Sequence, residues 1–216
     1  MARRLVVVSA AGAALAIVGT GVADSAGQAH DAPVVAAQEA VKPTAVSPDL
    51  ARMFDALARP AATAVPDDVR AFAETGVVRE RFAPNPALAR AVRPPAREGG
   101  PDWHLLPADG GVCLFVAAAG TCTPADKAAT DGAWIVRFPK PAGKAVPGQV
   151  PGVGPHTLMG VLPAGVKGVV ALTDAGDAVE GATSGDAYSV EITRGYVRTL
   201  RFTREDGSTY IGRFGR

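Results

Sequence analysis

The sequence has almost no net charge. Its 22 lysines and arginines are balanced by 21 aspartates and glutamates, which leaves a formal charge of +1 at pH 7. Without a surplus of either sign, no long-range field steers the protein towards nucleic acid or an anionic membrane. We therefore expect no nucleic-acid partner, and contact with a membrane only through the apolar N-terminal segment described below.

Motifs of the common enzyme classes are also missing. There is no GxSxG nucleophile elbow and no phosphate-binding P-loop. Two of the three histidines, His104 and His156, fall in the part expected to fold, and neither has carboxylates at metal-ligand spacing. Asp174, Asp177 and Glu180 surround a glycine turn without EF-hand spacing, so a solvated hairpin is the simpler interpretation. We predict no catalytic residue, no metal and no cofactor, and an enzyme is the less favoured class.

The N-terminus is typical of an export signal. Residues 1–4 are short and basic, and residues 5–23 form an uninterrupted apolar and small-residue run. This layout predicts a secretory signal peptide, cleaved after Ala23 or Ala29. The run is also long enough for a single membrane-spanning anchor, and that alternative stays open. Either way, we expect an exported protein, extracellular or at the cell surface.

Only two cysteines are present, Cys113 and Cys122. In an oxidising compartment an even cysteine count favours a disulfide, which in a loop of this length contributes about 2.5–3 kcal/mol. The pair does not have CxxC spacing, and no histidine neighbours either thiol. A structural bridge is therefore favoured over a functional thiol or two unpaired core cysteines.

The remaining chain divides into three parts. We predict a flexible tether over residues 30–46, a short helical segment over residues 47–98 and a β-rich domain over residues 99–216, after residues 1–29 as signal or anchor. Helices are expected over Ser47–Leu57, Pro66–Thr75 and Ala87–Val92, each too short to be stable alone. Their apolar faces must therefore pack on the β-rich part.

The β-rich part alternates strand and turn signals. Trp103–Leu105 and Val112–Val116 flank a hairpin turn, one helical turn follows at Pro124–Thr130, and Trp134–Phe138 is the next strand. Pro139–Pro155 is too rich in proline and glycine for a central strand and is expected to be a long loop. Six further strands are expected: His156–Leu162, Gly165–Thr173, Ala178–Thr183, Ala187–Thr193, Tyr196–Arg204 and Thr209–Arg213. The predicted fold class is α+β, with short N-terminal helices packed on an antiparallel meander, sandwich or partly open barrel.

The last strands carry the candidate binding residues. Arg198, Arg201 and Arg204 make them basic, and Arg201 should face solvent because it alternates with Leu200 and Phe202. An anionic cell-wall polymer or a membrane surface could bind there, although a solvated strand face is the simpler interpretation.

The Trp-x-Leu-x-Pro, Val-Cys-Leu and Thr-Cys motifs, followed by Gly-Val-Leu-Pro-x-Gly-Val, resemble uncharacterised exported proteins of high-GC Gram-positive bacteria. The matching residues are Trp103, Leu105, Pro107, Val112, Cys113, Leu114, Thr121, Cys122 and residues 160–166. The resemblance covers about half the chain, from Trp103 onward, and its motifs are structural. It implies export and a cysteine pair, and it carries over no catalytic residue.

Taken together, the sequence favours an exported or cell-surface binding or structural module whose partner is a cell-envelope polymer or protein. One alternative is a secreted hydrolase with an unfamiliar site at the Pro139–Pro155 loop and His156. Another is an envelope regulator that signals through a retained N-terminal helix.

Overall fold

Twelve strands build three four-stranded antiparallel sheets in this computed structural model, which describes residues 40–98, 100–137 and 155–213. The sheet orders are β1-β2-β3-β4 (sheet A), β5-β6-β10-β9 (sheet B) and β12-β11-β7-β8 (sheet C). The strands are β1 Arg90–Val92, β2 Trp103–Ala108, β3 Gly111–Val116, β4 Ala119–Pro124, β5 Ala133–Arg137, β6 His156–Val161, β7 Val166–Thr173, β8 Ala178–Glu180, β9 Ala182–Ser184, β10 Ala187–Ile192, β11 Val197–Arg204 and β12 Thr209–Arg213. None of the sheets closes into a barrel, so the α+β prediction is confirmed in a mostly β form with some helices.

The helices described in these ranges are all short. They are α1 Pro48–Met53, α2 Asp55–Ala58, α3 Asp67–Ala73, α4 Gly76–Phe82 and α5 Ala125–Asp131, with a 3₁₀ turn at Pro86–Leu88. Within the described part of the chain, no helix has the length and apolarity needed to cross a membrane. The predicted signal or anchor, and most of the predicted Pro139–Pro155 loop, lie outside the described residues.

The layers stack in the order α3 and α4, sheet A, sheet B, sheet C. Alternation along β2 and β3 turns Leu106 and Phe115 towards α3 and α4, and Leu105 and Leu114 towards α1, α2 and sheet B. Sheet B is buried on both faces, because Met159 packs in the core with sheet A whereas its neighbour Leu158 packs in the core with sheet C. Only the far face of sheet C is left uncovered by these layers.

The predicted N-terminal helix begins as expected but is interrupted. The Ser47 hydroxyl caps α1 by accepting a hydrogen bond from the Leu50 N–H at 3.2 Å, and Pro48 occupies the first turn. Phe54 then adopts an extended conformation between α1 and α2 and is fully buried. We attribute the interruption between α1 and α2 to the burial of this ring in the core between sheets A and B.

Two local predictions differ from the structure, and one strand was not predicted. The helix predicted over Pro66–Thr75 is α3, which ends at Ala73, and Gly76 begins the separate helix α4. The helix expected at Ala87–Val92 is a 3₁₀ turn followed by the edge strand β1, which pairs with β2. Strand β4 was not expected, because Ala119–Pro124 offers few large apolar side chains.

The disulfide prediction is confirmed. Cys113 and Cys122 are bonded and sit directly opposite each other on β3 and β4. Cys113 is fully buried among the side chains that α3 and α4 contribute to sheet A. The bond therefore fixes an edge strand of weak intrinsic propensity onto the central hairpin.

Replacing both cysteines by alanine is expected to lower the free energy of unfolding by about 2–3 kcal/mol, because the bond no longer restricts the unfolded chain. Urea unfolding of the oxidised protein and of the Cys113→Ala/Cys122→Ala variant measures the difference. The reduced wild-type protein is the matched control and should resemble the variant. Equal stability of oxidised and reduced wild-type protein would contradict the structural role.

The β3–β4 turn offers a second stability test. Its central residues Ala117 and Ala118 have φ of 45° and 71°, a left-handed conformation that costs a non-glycine residue about 1–2 kcal/mol. Asn-Gly is the preferred pair for such a turn, so Ala117→Asn/Ala118→Gly is expected to raise the unfolding free energy by about 1–2 kcal/mol. Gly110→Ala, at φ +61° in the β2–β3 turn, should lower it. A neutral or destabilising Asn-Gly variant would refute the assignment of strain.

Candidate functional site

The outer face of sheet C is a solvent-facing surface with one arginine at its centre. Arg201 on β11 lies between Ile211 on β12 and Val170 on β7, and Glu180 on β8 continues the same row. The outward positions of the three longer strands are Gly168, Val170, Leu172, Thr199, Arg201, Thr203, Thr209 and Ile211. We refer to this set as the outer face of sheet C.

Charge and apolar surface occur together on this face. Arg201 is exposed, Ile211 is 52% exposed, and Val170 is half-buried. Among the described residues, Arg201 has no carboxylate within ion-pair distance. A guanidinium presents five donors in a planar fork that matches phosphate and carboxylate oxygens. The surface is therefore suited to an anionic ligand with some apolar area.

Arg198 lies beside this face rather than on it. It occupies a bulge in β11, where the pairing with β7 shifts register between Val197 and Thr199. Its Nη2 atom is 4.0 Å from Oδ2 of Asp174, and that aspartate also accepts the Tyr196 N–H at 2.7 Å. The charge of Arg198 is thus partly compensated within the protein.

Arg204 is at the opposite end of β11, where its exposed side chain lies against an aromatic ring. Its guanidinium carbon lies 5.0 Å from the centre of the Tyr210 ring, in a cation–π contact. Tyr210 pairs with Phe202 and packs with the core between sheets B and C. The structure therefore does not bring Arg198, Arg201 and Arg204 onto one face.

His156 is the first residue of β6 and is only 5% exposed. It pairs with Ile192 on β10, and its ring centre lies 6.3 Å from that of Tyr196. Burial in the central sheet removes this imidazole from solvent. Because residues 138–154 lie outside the described residues, the loop predicted beside it adds no geometry.

The aspartates around the β7–β8 turn already have hydrogen-bond partners within the protein. Nη2 of Arg194 contacts both oxygens of Asp177, at 2.8 and 3.2 Å, and Asp174 bonds the Tyr196 main chain. Within the described ranges, no group of three or more His, Cys, Asp or Glu side chains is arranged to hold a metal ion. The cluster thus joins two hairpin turns.

A groove beside α1 and the β2–β3 turn was not predicted. It has a volume of about 550 Å³ and lies between residues 41–47, α1 and the β2–β3 turn. Its apolar wall is Leu50, Met53, Ala108 and Ala125. Residues 41–47 have no hydrophobic periodicity, so no pattern in the sequence indicated that they would line a groove.

The comparisons with known proteins give no relatives. No protein-family model matches this chain, and neither a curated protein nor a solved structure does. Function is therefore argued from the residues alone.

His104 is a buried titratable group whose surroundings the sequence did not reveal. It is 5% exposed on β2, opposite Phe115. Burial lowers the pKa of His104 below its usual 6.5, and the carboxylates of Asp102 and Asp68 oppose the shift. The folded protein therefore favours the neutral imidazole more than the unfolded chain does.

This arrangement predicts a loss of stability in acid. His104 binds a proton more readily in the unfolded chain than in the folded protein. The free energy of unfolding is therefore unaffected by protonation of this residue above about pH 6.5 and falls as the pH drops below that value. His104→Gln should flatten the dependence of unfolding free energy on pH in this window, measured by urea unfolding at several pH values. Asp102→Asn, which removes an opposing carboxylate, should steepen it. Parallel curves for wild type and His104→Gln would contradict the assignment.

Proposed function

We propose that this chain is an exported, disulfide-closed binding module of the bacterial cell envelope, of the kind found in high-GC Gram-positive bacteria. The Cys113–Cys122 bond supports an oxidising, extracellular setting. The run over residues 5–23 supports export. The mass of the protein recovered from its host would test export, since a cleaved signal removes the first 23 or 29 residues.

The ligand we propose is an anionic envelope polymer that carries phosphate or carboxylate groups. The observation that carries this proposal is the exposed guanidinium of Arg201, which is centred on an open sheet face and has no internal carboxylate partner among the described residues. Ile211 and Val170 on either side provide apolar contact area for the polymer backbone.

One arginine gives a weak contact, so the affinity must come from the many repeated anionic groups of the polymer. A polymer with many equivalent anionic groups rebinds locally and raises the apparent affinity without new contacts. Binding of this kind decreases as salt screens the exposed charge. We therefore expect modest, salt-sensitive binding that favours long chains over single repeat units.

The hydrolase alternative has less support, because the buried His156 ring is held against Tyr196. The regulator alternative depends on residues 5–23, which lie outside the described residues.

Charge reversal at the centre of the face tests the proposal. Arg201→Glu is expected to weaken binding to a soluble poly(glycerol phosphate) by about tenfold at low salt. The change removes the guanidinium that donates hydrogen bonds to the phosphate groups, and it adds charge repulsion. Isothermal titration calorimetry measures the affinity, with uncharged dextran as the ligand control. Arg204→Glu makes the same charge change off this face and should have a smaller effect. Equal losses in both variants would indicate nonspecific attraction and refute the site.

A further inference from the structure

Residues Ala40–Val46, called the strap here, lie across α3, α4 and the β2–β3 turn. Four polar contacts hold the strap: the Ala40 N–H to the Glu80 carbonyl (3.3 Å), the Val41 N–H to Asp109 Oδ2 (2.9 Å), Lys42 Nζ to Glu74 Oε1 (3.2 Å) and Asn85 Nδ2 to the Pro43 carbonyl (2.8 Å). Three of these contacts involve the main chain of the strap, and one selects a lysine side chain. This is how a groove recognises an extended peptide.

The partners on the domain are fixed independently of the strap. The main-chain N–H of Asn85 donates to the Pro107 carbonyl, and its side-chain oxygen accepts the Ala87 N–H at 2.9 Å. The side-chain amide of Asn85, which donates to the Pro43 carbonyl, is thus already oriented. Asp109 is held in the tight β2–β3 turn, where its N–H donates to the Phe82 carbonyl at 2.7 Å.

The strap does not fill the groove it crosses. Thr44 and Ala45 line the space of about 550 Å³, opposite the apolar wall formed by Leu50 and Met53. Both strap side chains are small and exposed. A segment with a larger apolar side chain at this point would bury more surface against α1, and each buried CH₂ contributes about 0.8 kcal/mol to transfer out of water.

The strap is also weakly held. The side chains of Lys42 and Glu74 are 49% and 53% exposed, and Val41 is 69% exposed. Exposed ion pairs contribute only about 0–1 kcal/mol, because water screens them and side-chain entropy is lost, so charge reversal in this pair is enough to shift a weakly held strap several-fold. The strap competes mainly through its attachment to the domain, which gives it a high effective concentration.

We propose that this groove binds an extended peptide carrying a lysine followed by a large apolar side chain, and that the strap is the intramolecular occupant that such a peptide displaces. The lysine would pair with Glu74, and the apolar side chain would enter the space beside Leu50 and Met53. This site is distinct from the outer face of sheet C, and its test is independent of the polymer-binding proposal.

The test uses the full-length protein and a fluorescent peptide with the sequence of residues 40–46 and Ala45→Leu. Lys42→Glu in the protein places like charges at the strap contact and should loosen it. Fluorescence anisotropy is expected to show about threefold to tenfold tighter peptide binding to this variant than to wild type. Equal affinity for the two proteins, or no binding to either, would overturn the proposal.

Glu74→Lys provides the matched charge control. In the Lys42→Glu/Glu74→Lys protein the strap regains an ion pair of reversed polarity, and the lysine peptide meets a positive charge. Peptide binding should return to the wild-type level or below. Binding as tight as to Lys42→Glu alone would place the peptide elsewhere and overturn the site.

Amide hydrogen exchange of Val41 reports the strap directly. Its N–H is bonded to Asp109, so exchange should accelerate by about threefold to tenfold in Lys42→Glu and slow again in the double variant. Unchanged exchange in Lys42→Glu would show that the ion pair does not hold the strap, which also overturns the proposal. The far-ultraviolet circular dichroism of every variant should match wild type.

Discussion

Burial of sheet B on both faces is the constraint on which the architecture depends. Most residues of β6 and β10 are buried, so neighbours such as Leu158 and Met159 enter different cores, whereas Glu191 near the end of β10 is exposed. Gly160 permits this packing, because a Cβ there would lie 2.6 Å from the ring of Tyr188. The Tyr188 hydroxyl is buried without a hydrogen-bond partner in the described part of the chain, and burial raises its pKa. Such a group costs about 1–3 kcal/mol, which the buried ring offsets.

Double burial of sheet B determines where surface chemistry can occur. Sheet A is covered by sheet B on one face and by α3 and α4 on the other, so it contributes packing and the disulfide. Within the described ranges sheet C is covered on one face, and its outward rows carry the exposed side chains of Arg201 and Ile211. The proposed polymer face therefore lies on the outside of sheet C, whereas the strap groove is bordered by α1, the β2–β3 turn and the start of α5.

The sequence predicted those strands and helices that have a local pattern of apolar residues. It did not predict the elements whose conformation depends on packing against distant residues. The strand predicted over Ala187–Thr193 corresponds to β10, and strict alternation along β11 placed Arg201 outward. Arg204 follows a register shift in β11, and its guanidinium stacks on Tyr210, a contact that alternation does not predict. The edge strands β1 and β4 have weak patterns of their own, because they form by pairing with β2 and β3. The strap has no periodicity, since its contacts are mostly made by its main chain.

Helices α1 and α2 form a physical link between the strap groove and sheet C. Met53 lines the strap groove, and its carbonyl accepts the Ala164 N–H at 2.7 Å. Asp55 Oδ2 accepts the Gly165 N–H at 3.2 Å in the same turn, which leads directly into β7 of sheet C. Coupling between distant sites requires an element with two discrete arrangements. A capped helix that ends on a fully buried Phe54 is a poor candidate for such an element. The link therefore acts as a brace, and the two surfaces should respond independently to their ligands.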